Sequence, residues 1–201
     1  MKIKIGKMKA TIPDEYQRLK PLPDDLPEQI SFGGQTENAL ALVRAYPVAM
    51  ERAMPFNSPQ TVINWIHDAL SEDQGLIEVS AGKTKGGKPY IFSIVKTRQQ
   101  PSGMQYVLTL HMRFPSDILE IQAFFEEYGM TGLRDTIVHE IERREGNVGD
   151  GFEGWMRDPY DPEYTKGIRM NLSEFPKYDK MFPNHPLSVL RRFVEDVREN
   201  N

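Results

Sequence analysis

The chain has 201 residues, with 25 basic and 29 acidic side chains, a net charge of −4 and no cysteine. Without cysteine there is no disulfide framework, thiol nucleophile or thiolate metal site. The acidic balance argues against a general nucleic-acid binder. Leu, Ile, Val and Phe supply 49 residues, about 24%, which is enough for a packed core. No apolar run nears the ~18 residues of a membrane span, and the opening MKIKIGKMKATIP lacks an apolar signal core. The chain therefore reads as soluble and cytoplasmic, with no membrane contact.

MKIKI fits a short strand. Residues 16–30, carrying Pro21, Pro23 and Pro27, read as an irregular arm, because proline removes a ladder donor and biases its predecessor away from helix. Phe32-Gly33-Gly34 then punctuates entry into the domain. Residues 37–48 (ENALALVRAYPV) suit a buried strand. Ser58-Pro59 is a helix start, with Ser58 as cap and Pro59 in the first turn. Val62, Ile63, Trp65, Ile66, Ala69 and Leu70 follow at helical spacing, and Gly75 is expected to close the helix in a left-handed conformation.

Residues 76–80 and 90–95 read as strands joined by Lys85-Gly86-Gly87-Lys88, a hairpin turn. A second turn, residues 99–103, leads into MQYVLTLHMRF, where Tyr106, Leu108, Leu110 and Met112 alternate on one face. Short turns between such strands make an antiparallel meander. Residues 118–127 fit strand or helix, and the strand reading is preferred because Gly129 stops the run. A helix follows, capped by Thr131 and closed by Gly146, with Leu133, Ile137 and Ile141 as its apolar stripe. Leu187, Leu190, Phe193, Val194 and Val197 mark a last amphipathic helix from Pro186.

No motif for catalysis is complete. Gly82-Lys83-Thr84-Lys85-Gly86-Gly87-Lys88 has phosphate-loop spacing, but Pro89 stands where magnesium needs a hydroxyl, and a strand follows instead of a helix. Ser80 and Lys83 match a serine–lysine pattern on a strand end and lack its companion motifs. His139-Glu140 has Arg143 where a zincin has its second histidine. His67, His111 and His185 read as solvated. Asp150, Glu153, Asp158, Asp161 and Glu163 lack EF-hand spacing, and the Asp-Pro pairs suit carboxylates capping their own backbone. No cofactor or metal is expected.

Trp155, Tyr160, Tyr164, Phe175, Tyr178 and Phe182 punctuate a stretch with little periodicity. Two roles fit them: stapling the loop to the sheet, or forming a partner-binding surface. The expected architecture is α+β: an antiparallel sheet of about four to six strands covered by two or three helices. Residues 1–35 form an arm, 36–146 the core domain, and 147–201 an aromatic-rich extension that packs on it and ends in a helix.

Element order over roughly residues 36–145, with patches such as Tyr90-Ile91-Phe92-Ser93-Ile94 and Thr131-Gly132-Leu133-Arg134-Asp135, resembles the Mog1/PsbP-like fold. That resemblance implies a non-catalytic binding partner, assembly factor or chaperone-like protein. The leading expectation is thus a non-catalytic protein-binding module. A hydrolase would need carboxylates of residues 150–163 to meet a histidine such as His139 or His111. A structural homo-oligomer, built through a sheet edge or the last helix, is the third reading.

Overall fold

Alternating apolar residues pair into two antiparallel sheets in the computed structural model, which describes residues 1–201. Strands β1 (Lys2–Ile5) and β2 (Met8–Thr11) form a separate hairpin. The main sheet takes β3 (Gln17–Arg18), β4 (Ile30–Gln35), β5 (Ala39–Val48), β6 (Gln74–Lys83), β7 (Pro89–Arg98), β8 (Met104–Arg113) and β9 (Ile118–Glu127) in the order β3-β4-β5-β9-β8-β7-β6. Helix α1 (Pro59–Ala69) lies between β5 and β6 in sequence; α2 (Leu133–Arg144) and α3 (Pro186–Asn200) follow the sheet. None of the helices is long and apolar enough to cross a membrane.

The α+β class agrees with the sequence reading, and residues 118–127 are indeed a strand. The sheet is larger than the four to six strands expected, because β3 and β4 are drawn from the stretch read as an arm and its boundary. Gly33 and Gly34 are strand residues, not punctuation. A Cβ on Gly34 would lie 2.7 Å from the Tyr16 ring, and one on Gly33 would lie 3.3 Å from Leu19. Glycine lets those two side chains lie directly on the strand. Tyr16 is buried, edge-on to Phe193 at 5.3 Å and to Phe125 at 6.4 Å.

One hydrophobic cluster fills the inner side of the sheet. It joins Val43, Leu108, Leu110, Phe92 and Phe125 to Leu187, Leu190, Phe193, Val194 and Val197 of α3, and to Ile3, Ile5 and Met8 of the β1–β2 hairpin. At ~1.5–3 kcal/mol per buried large apolar side chain, this contact is the main stabilising layer. On the outer side, Val62, Ile63 and Leu70 of the α1 region cover Leu76, Val79 and Ile91 at the β6–β7 end.

Three local expectations are corrected. Gly75 is not a left-handed cap: α1 ends at Ala69, and Gly75 sits in β6 where a Cβ would meet the Ile168 carbonyl oxygen at 1.8 Å. Ser58 does stand at the cap position of α1 with Pro59 in the first turn, but its side chain makes no cap bond: the hydroxyl pairs with that of Thr61 at 2.6 Å, while the Ser58 carbonyl accepts the first helical amides. Thr131 does not cap α2 either. Gly132, at φ +73°, occupies that position, and the Thr131 hydroxyl pairs with Ser102. Gly146 does adopt the left-handed conformation past α2, at φ +79°.

The largest correction concerns the face of α2. Leu133 and Ile137 are exposed and Ile141 is half-exposed, while Arg134, Val138 and Glu142 are buried. The sequence places the apolar stripe inward; the fold turns it out.

Candidate interaction surface

The six aromatic residues of the C-terminal segment are divided by the fold. Trp155 and Tyr178 are buried with Val138, Val148 and Leu172, and Phe175 and Phe182 are half-buried against that cluster. Tyr164 stacks on the His67 ring at 4.0 Å and donates its hydroxyl to the His67 carbonyl at 2.9 Å. Tyr160 is 38% exposed, and its hydroxyl accepts from the Val79 amide at 2.6 Å and donates to the Val79 carbonyl at 3.2 Å. That residue thus closes part of the open edge of β6, a protection that edge strands need. The six side chains staple the segment at separate points and do not share one exposed surface.

The histidines read as solvated are instead paired. The Leu187 amide donates to His185 Nδ1 at 3.3 Å, leaving Nε2 as the donor to Glu127 at 3.2 Å. His67 Nε2 lies 3.0 Å from Asp158, which is itself buried and accepts the Tyr160 and Asp161 amides at 2.9 Å. Asp158 therefore caps its own turn, as Asp-Pro chemistry suggests. His111 receives the Met54 amide on Nδ1 at 2.9 Å and donates from Nε2 to Glu120 at 2.9 Å. The Glu120 carboxyl also accepts from Tyr46 at 2.5 Å. Burial opposes its ionisation, but the hydrogen bonds from His111 and Tyr46 outweigh that and hold it below its ordinary value. His139 meets no carboxylate: its ring lies 4.7 Å from Phe152 and 5.0 Å from Trp155, and Nε2 is buried without a partner. The loop carboxylate that reaches a histidine does so at His67, not at His139 or His111.

Under α2 runs a buried polar layer. Arg134 donates to the Ser173 carbonyl and Ser188 hydroxyl at 2.8 Å, and to Asp179 at 3.0 Å. Asp135 accepts from Ser173 and Asn171. Burial and the nearby Glu174 charge raise its carboxyl above the ordinary value. Glu174 closes a capping box with Asn171 and accepts Lys96 Nζ at 2.7 Å and the Tyr106 hydroxyl at 3.0 Å. Both charges of that Lys96–Glu174 pair are buried. These groups fix the C-terminal segment against the inner face of the sheet.

The outer face remains open over β5, β9 and β8. Register places Gly33, Leu42, Phe124, Val107 and Val95 in one cross-strand row. The next row is Gln35, Leu40, Glu126, Gln105 and Thr97. Leu40, Leu42, Val107 and Phe124 are each half-buried. Leu40, Leu42 and Phe124 line a cleft of about 360 Å³ with Arg44, Gln105 and Glu126. The Arg44 guanidinium sits 5.4 Å from the Phe124 ring centroid. Leu19, lying on Gly33, stands at one end of the apolar row, and the α1 cluster reaches Val95 at the other. Sequence reading missed this surface, although a signal was present. ALALV in β5 and Phe124-Phe125 in β9 are apolar at both parities, which indicates two covered faces.

No family model and no curated protein matches the chain. Among solved structures, it is similar to PA94, a protein of unknown function from Pseudomonas aeruginosa, at 11% identity and a TM-score of 0.39, over 73% of this chain and 92% of that one.

Proposed function

We propose that this chain is a non-catalytic protein-binding module of the adaptor, assembly-factor or chaperone-like kind, acting in the cytoplasm. The open half of the outer sheet face is its binding surface. The observation that carries the reading is the row of half-exposed Leu42, Phe124 and Val107, bordered by Arg44, Gln105 and Glu126. An apolar centre with a polar rim is the anatomy of a protein interface. An amphipathic segment of a partner protein suits it: apolar side chains would cover Leu42 and Phe124 while the rim satisfies polar groups. The Mog1/PsbP-like resemblance points the same way.

The test is affinity capture with the full chain beside Leu42→Glu and Phe124→Glu, all verified as cooperatively folded. A protein retained by the unmodified chain and lost by both variants supports the surface. Equal retention by all three refutes it. Retention lost with Tyr160→Phe instead would move the surface to the C-terminal segment.

A further inference from the structure

The β1–β2 hairpin combines a buried apolar face with an outer face of lysines. Ile3, Ile5, Met8 and Ala10 point into the core, and Lys2, Lys4 and Lys9 alternate with them on the exposed side. Register sets Lys4 directly opposite Lys9. Like charges in that position destabilise a strand pair, and here no carboxylate is placed between them. Lys2, Lys4 and Lys9 join Lys88 of the β6–β7 turn around a cleft of about 500 Å³, whose remaining lining is Ile3, Ala10, Thr11, Asn200 and Asn201. The chain as a whole is acidic, yet this cleft has no acidic side chain; Lys88 Nζ donates to the Asn201 main-chain oxygen at 2.9 Å, and Lys2, Lys4 and Lys9 are the lysines left open.

The cleft also exposes a strand edge. β2 pairs only with β1. On its other side the Asn201 side chain accepts the Thr11 amide at 2.8 Å and donates to the Thr11 carbonyl at 2.9 Å, the two bonds a neighbouring strand would make. Because antiparallel bonding alternates along a strand, the Lys9 amide and carbonyl face the same side as those of Thr11. An extended segment lying beside Asn201 along β2 would meet the main-chain groups of Lys9 and the ammonium groups on the exposed side of the hairpin.

We infer that this cleft is a docking site for an extended acidic peptide segment, which adds to the β2 edge at Lys9 and places its carboxylates against Lys9 and, across β2, against Lys4 and Lys2. Main-chain bonds would supply affinity and the lysines would select the acidic sequence. A peptide fits better than nucleic acid. The hairpin offers a footprint of only four residues per strand, and the cleft contains neither an arginine to read base edges nor an aromatic ring to stack on. The site is on the α3 side of the sheet, away from the outer face, so its test is separate from that of the proposed function.

The experiment is a fluorescence anisotropy titration of the full chain with a fluorescein-labelled hexapeptide of alternating glutamate and threonine. Arms are the same peptide N-methylated at alternate residues and an oligothymidylate of matched charge. Saturable binding that weakens as salt rises is expected, with about a tenfold loss for Lys4→Glu and for Lys9→Glu. The thermal midpoint of either variant should hold or rise, since each replaces a like-charge pair by an opposite-charge one. The N-methylated peptide should bind more weakly. No binding at low salt, or equal affinity for the variants and the unmodified chain, overturns the site. Tighter binding of oligothymidylate than of the peptide overturns the ligand class, and full binding of the N-methylated peptide overturns the edge-addition geometry.

Discussion

Helices α2 and α3 both carry an apolar stripe in sequence, and they meet the protein with opposite faces. In α3, Leu187, Leu190, Phe193, Val194 and Val197 are buried against the inner sheet, as periodicity demands. In α2, Leu133 and Ile137 face outward while Arg134 and Glu142 are buried. The difference comes from what each helix packs on. The sheet offers α3 a continuous apolar surface, whereas the segment around residues 171–188 offers α2 carbonyls, hydroxyls and carboxylates beside a small apolar cluster that takes only Val138. A charged face that finds its partners can be buried, and an apolar stripe can be left out when the surface opposite the helix is mostly polar.

Removing a partner from the polar layer should cost most. Arg134→Ala would leave the Ser173 and Phe175 carbonyls without this donor and take one of two guanidinium partners from Asp179, and is expected to lower unfolding free energy by about 3–5 kcal/mol, measured by urea denaturation. A cost under about 1 kcal/mol would mean that α2 is held by something other than this layer. Leu190→Ala on α3 should cost about 2–5 kcal/mol by the cavity it leaves. If Leu190→Ala were as mild as a surface change, the contrast between the two helices would collapse.

Glu142→Gln tests the same layer through pH. Glu142 is buried, which opposes its ionisation, but hydrogen bonds from Lys177, Tyr178 and Asn147 prevail and hold its carboxyl below the ordinary value of 4.5. Such a group stabilises the fold above that ordinary value, and the contribution disappears as pH falls through the lower folded value. The variant should lose about 1–3 kcal/mol near neutrality, and its stability should fall less steeply below pH 4.5 than that of the unmodified chain. Asp135 works in the opposite sense. Its raised carboxyl favours the fold at acid pH and opposes it as pH rises through the folded value, so Asp135→Asn should shift the stability maximum toward higher pH.

The smallest effect is expected at the outward stripe. Ile137→Ala should change unfolding free energy by no more than about 0.5 kcal/mol. A loss comparable with that of Leu190→Ala would mean that this stripe is packed in solution, between copies of the chain.

The four central strands and α3 were legible because their signals are local. Tyr106, Leu108, Leu110 and Met112 alternate whatever lies opposite them, and Gly87 and Gly103 adopt the positive φ that their turns need. β3 and β4 were not legible, because the reason for Gly33 and Gly34 is the approach of Tyr16 and Leu19 from another segment. The histidines misled for a related reason. A histidine at a polar position of a helix or strand looks solvated until Glu120, Glu127 or Asp158 is brought within 3.2 Å by the fold. The open outer face was half legible: residues such as Leu42 and Phe124 announce a second apolar side, but only strand order puts them in one row.

By itself the sequence determined the class of the fold, the turns and the positions of most strands and all three helices, because these follow from backbone preferences and periodicity within about ten residues. The tertiary structure decided which face of α2 is buried, how the carboxylates and histidines pair, and where apolar and basic surface is left open. Those outcomes depend on groups far apart in sequence, such as Lys96 with Glu174 and Thr11 with Asn201, whose meeting no local pattern encodes.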